Sequence, residues 1–321
     1  MRNTEPTSLQ EAIIYFSNPD NCIAYLVERR WPDGVVTCPN CGTDKVTYMA
    51  SRRTWQCKAR HPKAQFSIKV GTIFEDSAIG LDKWLCAMWM LANCKNGVSS
   101  CEIAKAIKVT QKSAWFMLQR LRLALQDDET GGKLSGSVEV DETYIGGKAR
   151  NMHKNRKLRA KGAATGMVGK VAVMGLLERH GKVRTMVVPG TTRAILDPRV
   201  RSHVEEGSSV YTDSHGGYDS LDDAYVRGVI NHAERYVDGQ VHTNGMENFW
   251  SLLKRGLNGT YISVEPFHLF RYLDEQSFRF NNRKENDAYR FDLAVSQIVG
   301  KRLTYSQLTG KSDADLEKQA F

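Results

Sequence analysis

Three acidic residues of this 321-residue chain stand where their carboxylates can converge on metal ions. Asp141 follows an apolar run, Asp213 ends a short β-like segment, and Glu247 lies 34 residues later at the start of an amphipathic helical pattern. Hard divalent cations such as Mg²⁺ prefer oxygen ligands, and two such ions can stabilise both oxygens of an in-line phosphodiester exchange. Lys254 lies seven residues after Glu247, on the same helical face. The spacing therefore predicts a site that cuts or joins phosphodiesters.

Each of these residues also has a structural interpretation. Asp213 precedes Ser-His-Gly-Gly and can form a turn, and Asp141 can form a strand-end pair with the next glutamate. Asn244 and Glu247 fit the N-cap and N3 positions of a helix. Taken singly, the structural interpretations are favoured. Taken together, the order strand with Asp, hairpin, strand with Asp, helix with Glu predicts a ribonuclease H-like layer, where carboxylates of adjacent central strands meet one from a helix.

Hydrophobic periodicity places these residues on elements of an α/β fold. Alternating patterns predict strands at residues 138–144, 167–177, 183–188 and 209–212, with a hairpin turn at 178–181. Helical patterns cover residues 8–30 with a break at Asn18, and residues 81–93, 100–107, 110–126, 246–255 and 266–282. Strands followed by helices favour a mixed sheet with helices packed on it.

Paired cysteines near the front predict a metal site. Cys38-Pro-Asn-Cys41-Gly is a knuckle, and Cys57 and His61 complete the spacing C-x2-C-x15-C-x3-H. Tetrahedral zinc takes four N or S ligands from two such turns, and a core this small should need the metal to fold. Reduced buried cysteines are the alternative, and the position of His61 could instead be open or filled by water. Helical periodicity places the other cysteines in the core: Cys22, Cys86, Cys94 and Cys101.

Residues 96–122 predict two short helices with a tight connection. Thr110 is a suitable N-cap for the second helix, which leaves Gln111, Lys112 and Ser113 at its start. Those positions reach base edges when such a helix enters a major groove. A helical hairpin inside a bundle is the alternative, but the adjoining zinc motif and the basic charge favour a helix-turn-helix that binds DNA.

The charge of the chain points to a polyanionic partner. Lys and Arg exceed Asp and Glu to give a net charge of +9, and the pI is about 9.1. Residues 148–161 hold seven Lys or Arg and no acid. A solvated loop is the alternative, but so dense a run beside acidic residues favours phosphate contacts. The candidate contact residues are Lys154, Arg156, Lys157, Arg159 and Lys161.

Composition excludes several other classes of protein. With 41% hydrophobic and 25% charged residues the chain is typical of a globular protein rather than a disordered one. It has no apolar run long enough to span a membrane, and its first residues lack the apolar segment of a signal peptide. Seven cysteines, an odd number, argue against a disulfide scaffold. We therefore expect a cytoplasmic protein.

At these residues the chain resembles bacterial insertion-sequence DDE transposases of the zinc-ribbon group, which carry an ISXO-type transposase domain and are related to the Merlin transposons. The resemblance spans nearly the whole length. Its motifs are Arg30-Trp-Pro-Asp-Gly, Cys38-Pro-Asn-Cys-Gly, Gly71-Thr-Ile-Phe, Val140-Asp-Glu-Thr-Tyr-Ile-Gly-Gly-Lys148, His242-Thr-Asn-Gly-Met-Glu-Asn-Phe-Trp-Ser-Leu-Leu-Lys-Arg-Gly256, Tyr272-Leu-Asp-Glu and Phe278-Arg-Phe-Asn-Asn-Arg283.

The resemblance implies a ribonuclease H-like transposase that binds terminal inverted repeats of double-stranded DNA. It would catalyse strand cleavage and transfer with Mg²⁺ or Mn²⁺, act as a homo-oligomer on DNA and associate with the nucleoid of a bacterial host. Asp141 and Asp213 take the two strand positions and Lys254 the basic position. Some branches of the group have Asn as the third residue, so Asn244 is the alternative to Glu247, which we prefer because a carboxylate binds a divalent ion better than an amide.

The predicted fold is a ribonuclease H-like mixed sheet with helices, preceded by a small zinc ribbon and a helix-turn-helix. The predicted divisions are an N-terminal helix and zinc ribbon at 1–75, the helix-turn-helix at 76–130, the catalytic domain at 135–285 and a C-terminal helical tail at 286–321. The alternative function is a zinc-ribbon and helix-turn-helix transcription regulator whose α/β domain is not catalytic. Loss of nicking in Asp213→Asn would separate the two.

Overall fold

The computed structural model of the protein describes residues 5–126, 132–146, 169–230 and 242–310. These residues form two compact units. Residues 5–126 and 282–310 make up the first unit, and residues 132–146, 169–230 and 242–281 make up the second. In these ranges no helix combines the length and the apolar character needed to cross a membrane.

Ten α-helices and eight strands are defined along the described part of the chain. The helices are α1 (Leu9–Phe16), α2 (Pro19–Arg30), α3 (Leu81–Asn93), α4 (Ser100–Ile107), α5 (Gln111–Ala124), α6 (Arg193–His203), α7 (Asn244–Gly256), α8 (Leu269–Asn281), α9 (Asp287–Ser296) and α10 (Tyr305–Thr309). The strands are β1 (Val46–Met49), β2 (Thr54–Cys57), β3 (Gln65–Phe66), β4 (Ser137–Ile145), β5 (Val171–Glu178), β6 (Val183–Val188), β7 (Ser209–Asp213) and β8 (Val226–Ile230).

The first unit is a helical assembly that carries a small antiparallel sheet. Short polar side chains start its helices by accepting a backbone N–H of the first turn, among them Ser8, Asn18 and the predicted N-cap Thr110. Helices α3 and α4 have the predicted bounds, and the predicted break between α1 and α2 is confirmed. Helix α9, which lies within the predicted C-terminal helical tail, packs against α3, where Phe291 meets Trp89 with ring centroids 4.8 Å apart.

The four cysteines assigned to helical cores are not all buried. Cys22 is buried, and Cys86 and Cys94 are partly buried. Cys101 is exposed, so its placement in the core was wrong. It lies on the outer side of the short helix α4, whose buried contact is made by Ile103 two residues further on. A helix as short as α4 buries only one side, and the spacing of apolar residues in its sequence did not show which side that is.

The second unit is built on a five-stranded mixed sheet with the order β6-β5-β4-β7-β8. Strands β4, β5 and β6 pair antiparallel, whereas β7 runs parallel to both β4 and β8. The predicted hairpin turn between β5 and β6 is confirmed, with Gly181 N–H donating to Glu178 O at 2.9 Å. Strand β8 and helix α6 were not predicted.

Helices cover both faces of this sheet, as the alternation of β4 requires. Val138 and Val140 face the side where α6 packs with Leu196 and Val200. The opposite side is covered by α7 and α8, whose apolar residues pack on Val173, Leu177 and Val183. Asp141 belongs to this second face, because it alternates with Val140. The sheet therefore presents Asp141 to helix α7.

Candidate active site and metal cluster

The two predicted strand aspartates lie on neighbouring parallel strands in the interior of the sheet. Strands β4 and β7 are parallel neighbours, with Val138 opposite Val210 and Glu139 opposite Tyr211. Two residues further along each strand come Asp141 and Asp213. Paired residues of parallel strands point to the same face, so both carboxylates emerge on the side of α7. The predicted juxtaposition of strand carboxylates is thus present in the backbone itself.

Helix α7 adds a carboxylate and a cation from one of its faces. Glu247, Ser251 and Lys254 stand at positions i, i+4 and i+7 of the helix, so they share a face. They line a pocket of about 450 Å³ whose other wall comes from the end of β4. The full lining is Asp141, Glu142, Thr143, Glu247, Trp250, Ser251 and Lys254. The pocket therefore combines carboxylates from both walls with the ammonium of Lys254 on α7.

The two candidates for the third position differ in where they lie. Glu247 lines the pocket, whereas the exposed Asn244 is the first residue of α7 and is not among the lining residues. The N-cap position of the helix belongs to Thr243, so the interpretation of Asn244 as N-cap was wrong. The helix begins one residue earlier than a cap at Asn244 would allow. Asp213 also lies outside the lining set, beside Asp141 on the neighbouring strand.

Several negatively charged side chains lie close together at this partly buried site. Burial raises the pKa of Asp141 to about 6, and the negative charges of Asp213 and Glu247 add to the rise, while hydrogen bonds from Glu142 N–H and the Trp250 indole oppose it. Burial likewise raises the pKa of Glu142 to about 7, against a hydrogen bond from the Tyr218 hydroxyl. Carboxylates that repel each other in a low-dielectric site favour either protons or cations.

The donor set suits hard divalent cations. All the acidic groups offer oxygen, which Mg²⁺ and Mn²⁺ prefer. Within the described residues, one group of three or more His, Cys, Asp or Glu side chains is close enough to hold a single metal ion, and it is the cysteine cluster described below. The carboxylates of Asp141, Asp213 and Glu247 do not form such a single-ion group. A site for two ions divides its oxygen ligands between both ions.

A buried carboxylate that sequence reasoning missed ties α7 to the sheet. The side chain of Glu139 is 2% exposed and accepts hydrogen bonds from Met246 N–H at 3.0 Å and from Arg179 Nε at 2.9 Å. Arg179 also donates to His242 O at 2.8 Å and stacks over Tyr211. The carboxylate of Glu139 therefore places a negative charge at the N-terminus of α7, which is the positive end of the helix dipole. The one sequence signal was an acidic residue within the apolar run Val138-Glu-Val.

Two glycines let α7 approach the sheet closely. A Cβ at Gly245 would lie 2.5 Å from Leu177 Cδ2 and 2.7 Å from Glu139 Oε2. A Cβ at Gly175, which pairs with Asp141 across β4 and β5, would lie 2.7 Å from a ring carbon of Trp250. Real Cβ atoms are not found so close to other heavy atoms. Glycine at these two positions therefore sets how near Glu247 and Trp250 come to the strand carboxylates.

The four predicted zinc ligands form one cluster in the first unit. The ligand atoms of Cys38, Cys41, Cys57 and His61 all lie within 4.8 Å of one another. Cys41 Sγ and Cys57 Sγ are 3.7 Å apart, and Cys38 Sγ is 3.6 Å from His61 Nε2. Tetrahedral zinc with ordinary bond lengths requires about 3.8 Å between two sulfurs and about 3.6 Å between sulfur and nitrogen. The cluster therefore has the dimensions of a zinc site.

Groups around the cluster prepare these ligands for a metal. His61 Nδ1 lies 2.7 Å from Pro62 O, so Nδ1 carries the proton and Nε2 is left to coordinate. Burial raises the pKa of the Cys38 thiol, but hydrogen bonds from the N–H groups of Asn40 and Cys41 and from the thiols of Cys41 and Cys57 outweigh it and bring the pKa to about 7. Gly42, with φ +74°, closes the knuckle turn behind these N–H groups, as its sequence position predicted.

Comparison with known proteins matches both parts of the chain to transposase families. A family model described as an ISXO2-like transposase domain matches residues 133–281, and one described as a transposase zinc-ribbon domain matches residues 17–60. Over 248 residues the chain is 32% identical to a protein in transposable element ISH50 of Halobacterium salinarum, which covers 73% of this chain and 81% of that relative. The chain belongs to the ISXO2-like transposase family. A transposase-like protein of Haemophilus influenzae is 38% identical over 102 residues, 32% of this chain and 82% of the relative.

The family domains of this transposase coincide with its structural parts. The transposase domain spans the second unit, with the sheet, α7 and the pocket. The zinc-ribbon domain contains three of the four clustered ligands, and His61 follows directly after its last matched residue. The resemblance to this family found in the sequence motifs is confirmed.

The predicted DNA-contacting residues of the transposase fall into two groups. At the start of α5, Gln111 and Lys112 are exposed, while Ser113 is partly buried and joins its hydroxyl to that of Thr110 at 2.9 Å. Helix α5 packs on α4 and buries its later turns, so this first turn is its exposed part. The basic residues Lys154, Arg156, Lys157, Arg159 and Lys161 lie outside the described residues.

Proposed function

We propose that the protein is a DDE-type DNA transposase, a polynucleotidyl transferase and endonuclease that cleaves and transfers DNA strands at insertion-sequence ends. The observation that carries the proposal is the arrangement of Asp141 and Asp213 on adjacent parallel strands beneath a helix that supplies Glu247 and Lys254. The family resemblance implies Asp141, Asp213 and Lys254 and leaves the third acidic position open between Asn244 and Glu247. The position of Glu247 in the pocket supports its choice as the third residue.

The architecture of the second unit supports a ribonuclease H-like fold. Three antiparallel strands are followed by two parallel strands in the order β6-β5-β4-β7-β8, with helices on both faces. The catalytic carboxylates of that fold come from the first strand, from its parallel neighbour and from a helix packed on the sheet. Here those elements are β4, β7 and α7. We accordingly propose that residues 135–285 form the catalytic domain.

In the proposed mechanism the carboxylates of Asp141, Asp213 and Glu247 hold two divalent cations, Mg²⁺ or Mn²⁺. When bound, such a pair of ions activates the attacking oxygen and stabilises the leaving oxygen. Lys254 donates to a phosphate oxygen beside the scissile bond, and the Ser251 hydroxyl, one turn away on the same face, is placed to donate to another. Water would attack the phosphorus at the element end, and the bond from that phosphorus to the 3′-oxygen would break to leave a 3′-hydroxyl. That hydroxyl would then attack a phosphorus of the target strand in the same pocket, forming a new phosphodiester and releasing a 3′-hydroxyl of the target.

The first unit supplies the proposed DNA-binding region. We assign the cluster of Cys38, Cys41, Cys57 and His61 to a structural zinc ribbon within residues 1–75, and helices α4 and α5 to a helix-turn-helix within residues 76–130. The basic residues of 154–161 are proposed to contact DNA phosphates. The two ends of an element must be handled together, which favours a homo-oligomer on double-stranded DNA at the nucleoid of the host cell.

A nicking and strand-transfer assay tests the proposal. Full-length, zinc-loaded protein is incubated with DNA carrying the inverted repeats that flank its own reading frame, with Mn²⁺ or Mg²⁺. Wild type should nick and join strands, and Asp213→Asn should lower the rate by about a hundredfold or more, equal to roughly 2.7 kcal/mol of activation free energy. Asp222→Asn, an exposed aspartate of the same unit, is the matched control.

The alternative function gives a different result in the same assay. A transcription regulator with a non-catalytic α/β domain would bind the repeats with the first unit and leave both strands intact in either metal. Absence of cleavage by wild type, or full activity of Asp213→Asn, would contradict the transposase mechanism. Repeat binding without cleavage would favour the regulator.

A further inference from the structure

We infer that Trp250 is a positioning residue for Asp141, fixing the orientation in which that carboxylate meets a cation. The indole of Trp250 is 4% exposed and its Nε1–H donates to Asp141 Oδ2 at 3.0 Å. The ring also lines the pocket, between Glu247 and Ser251 of the same helix. This inference rests on the proposed function, because it concerns the proposed metal site.

Both oxygens of Asp141 have a donor from the protein. Oδ1 accepts the backbone N–H of Glu142 at 2.8 Å, and Oδ2 accepts the indole of Trp250. Two such bonds at opposite oxygens stop rotation of the carboxyl group about its bond to Cβ. An ionised carboxylate has about four lone-pair sites, so two remain for the pocket. The carboxylate is thereby oriented before any cation arrives.

A second observation shows that the sheet is shaped for this indole. Gly175 on β5 pairs with Asp141 on β4, so its missing side chain leaves space on the face that α7 covers. A Cβ at Gly175 would lie 2.7 and 2.9 Å from two ring carbons of Trp250 and 2.2 Å from Met246 Cε. The indole ring occupies the place where any other residue would have a side chain. The donor reaches Asp141 because this position is glycine.

Outer-shell hydrogen bonds of this kind contribute strongly to metal affinity. Their loss typically weakens binding 10–100-fold. The Glu142 N–H belongs to the backbone and stays in any variant, so half of the restraint persists when the indole is removed. We therefore expect the lower end, about a tenfold loss.

The first test measures Mn²⁺ binding to zinc-loaded full-length protein without DNA, from the electron paramagnetic resonance signal of free Mn²⁺. Trp250→Phe keeps a ring in place and removes the donor, and it should weaken binding about tenfold. Trp84→Phe is the matched control, since Trp84 also donates a buried indole bond, to Ser77 Oγ at 3.0 Å in the first unit. Its Mn²⁺ affinity should equal that of wild type.

The second test does not use the tryptophan variant and therefore does not depend on its folding. The chain has six tryptophans, so ¹⁵N-labelled protein gives six indole N–H signals. Substoichiometric Mn²⁺ should broaden one of them selectively, and Asp141→Asn should shift that same signal in metal-free protein.

The outcomes distinguish the role of Trp250 from the existence of the metal site. Equal Mn²⁺ affinity in Trp250→Phe and wild type, or an Asp141→Asn shift at no indole or at a different one, would overturn the role of Trp250 while leaving the metal site in place. Absence of Mn²⁺ binding by wild type would overturn the proposed metal site and this inference with it.

Discussion

The attachment of α7 to the sheet through Glu139 makes a quantitative prediction about local stability. Glu139→Gln preserves the size of the side chain and removes its charge. The amide oxygen can still accept the N–H of Met246, but the guanidinium of Arg179 loses its anionic partner. Since Glu247 and Lys254 both belong to α7, a looser helix start would displace the proposed catalytic groups. We therefore expect the helix to open more often in this variant.

The magnitude follows from the burial of the pair. The side chains of Glu139 and Arg179 are 2% and 14% exposed, and removing one partner of a buried ion pair costs about 3–5 kcal/mol. Arg179 keeps its bond to the carbonyl of His242 and its stacking on Tyr211, which places the cost at the lower end, about 3 kcal/mol. At about 1.4 kcal/mol per tenfold change, the opening equilibrium should rise by roughly a hundredfold.

Hydrogen exchange followed by mass spectrometry reports this opening directly, because local protection reflects the free energy of local unfolding. Peptides covering residues 244–253 should lose about a hundredfold in protection, while peptides from α3 in the first unit should not change. Glu206→Gln removes an exposed carboxylate of the same unit and should leave all peptides as in wild type. Unchanged protection of α7 in Glu139→Gln would refute the idea that this carboxylate holds the helix.

Three further results are expected. Cys57→Ser should lower bound zinc from about one ion per chain to a small fraction and destabilise the first unit, as measured by atomic absorption and thermal unfolding. Burial and neighbouring carboxylates raise the pKa of Asp141 to about 6 and of Glu142 to about 7, so their ionisation opposes folding. Metal-free protein should lose stability between about pH 4 and pH 7, and Mn²⁺ should raise Tm more at pH 8 than at pH 5.5. An equal increase at both pH values would contradict this. Lys254→Ala should weaken DNA binding and reduce its salt dependence by roughly one phosphate contact, whereas Lys182→Ala in the β5–β6 turn should not.

Periodicity predicted the elements whose faces differ clearly in polarity. The alternation around Val138 predicted β4, the helical pattern after Asn244 predicted α7, and Lys254 was correctly placed on the face of Glu247. The cysteine spacing likewise predicted which four side chains come together. In these cases the information is local, because the spacing along one strand, helix or turn decides which side chains share a face.

Elements without a local pattern could not be predicted. Helix α6 contains Pro198, which breaks the expected helical signal although the helix continues through it. Strand β8 is five residues long with Gly228 at its centre. Its parallel pairing with β7 is not specified by the residues next to it in the sequence. Helix α9 falls within the predicted helical tail, but its packing on α3, nearly two hundred residues earlier in the chain, was not predicted. Tertiary contacts stabilise these elements, so the sequence next to them carries little of the signal.

The depth at which α7 sits on the sheet is the part of the site that lies furthest from sequence reasoning. Glu247 can be assigned to a helix from its surroundings, yet its distance from Asp141 depends on Gly245, Gly175 and the buried Glu139, which come from three different elements. A glycine in a strand or a helix normally weakens it by about 1 kcal/mol. Here that cost is offset by the close approach of helix and sheet, which brings an indole donor onto Asp141. The proposed metal site therefore depends on two glycines and a buried glutamate that take no part in the proposed reaction.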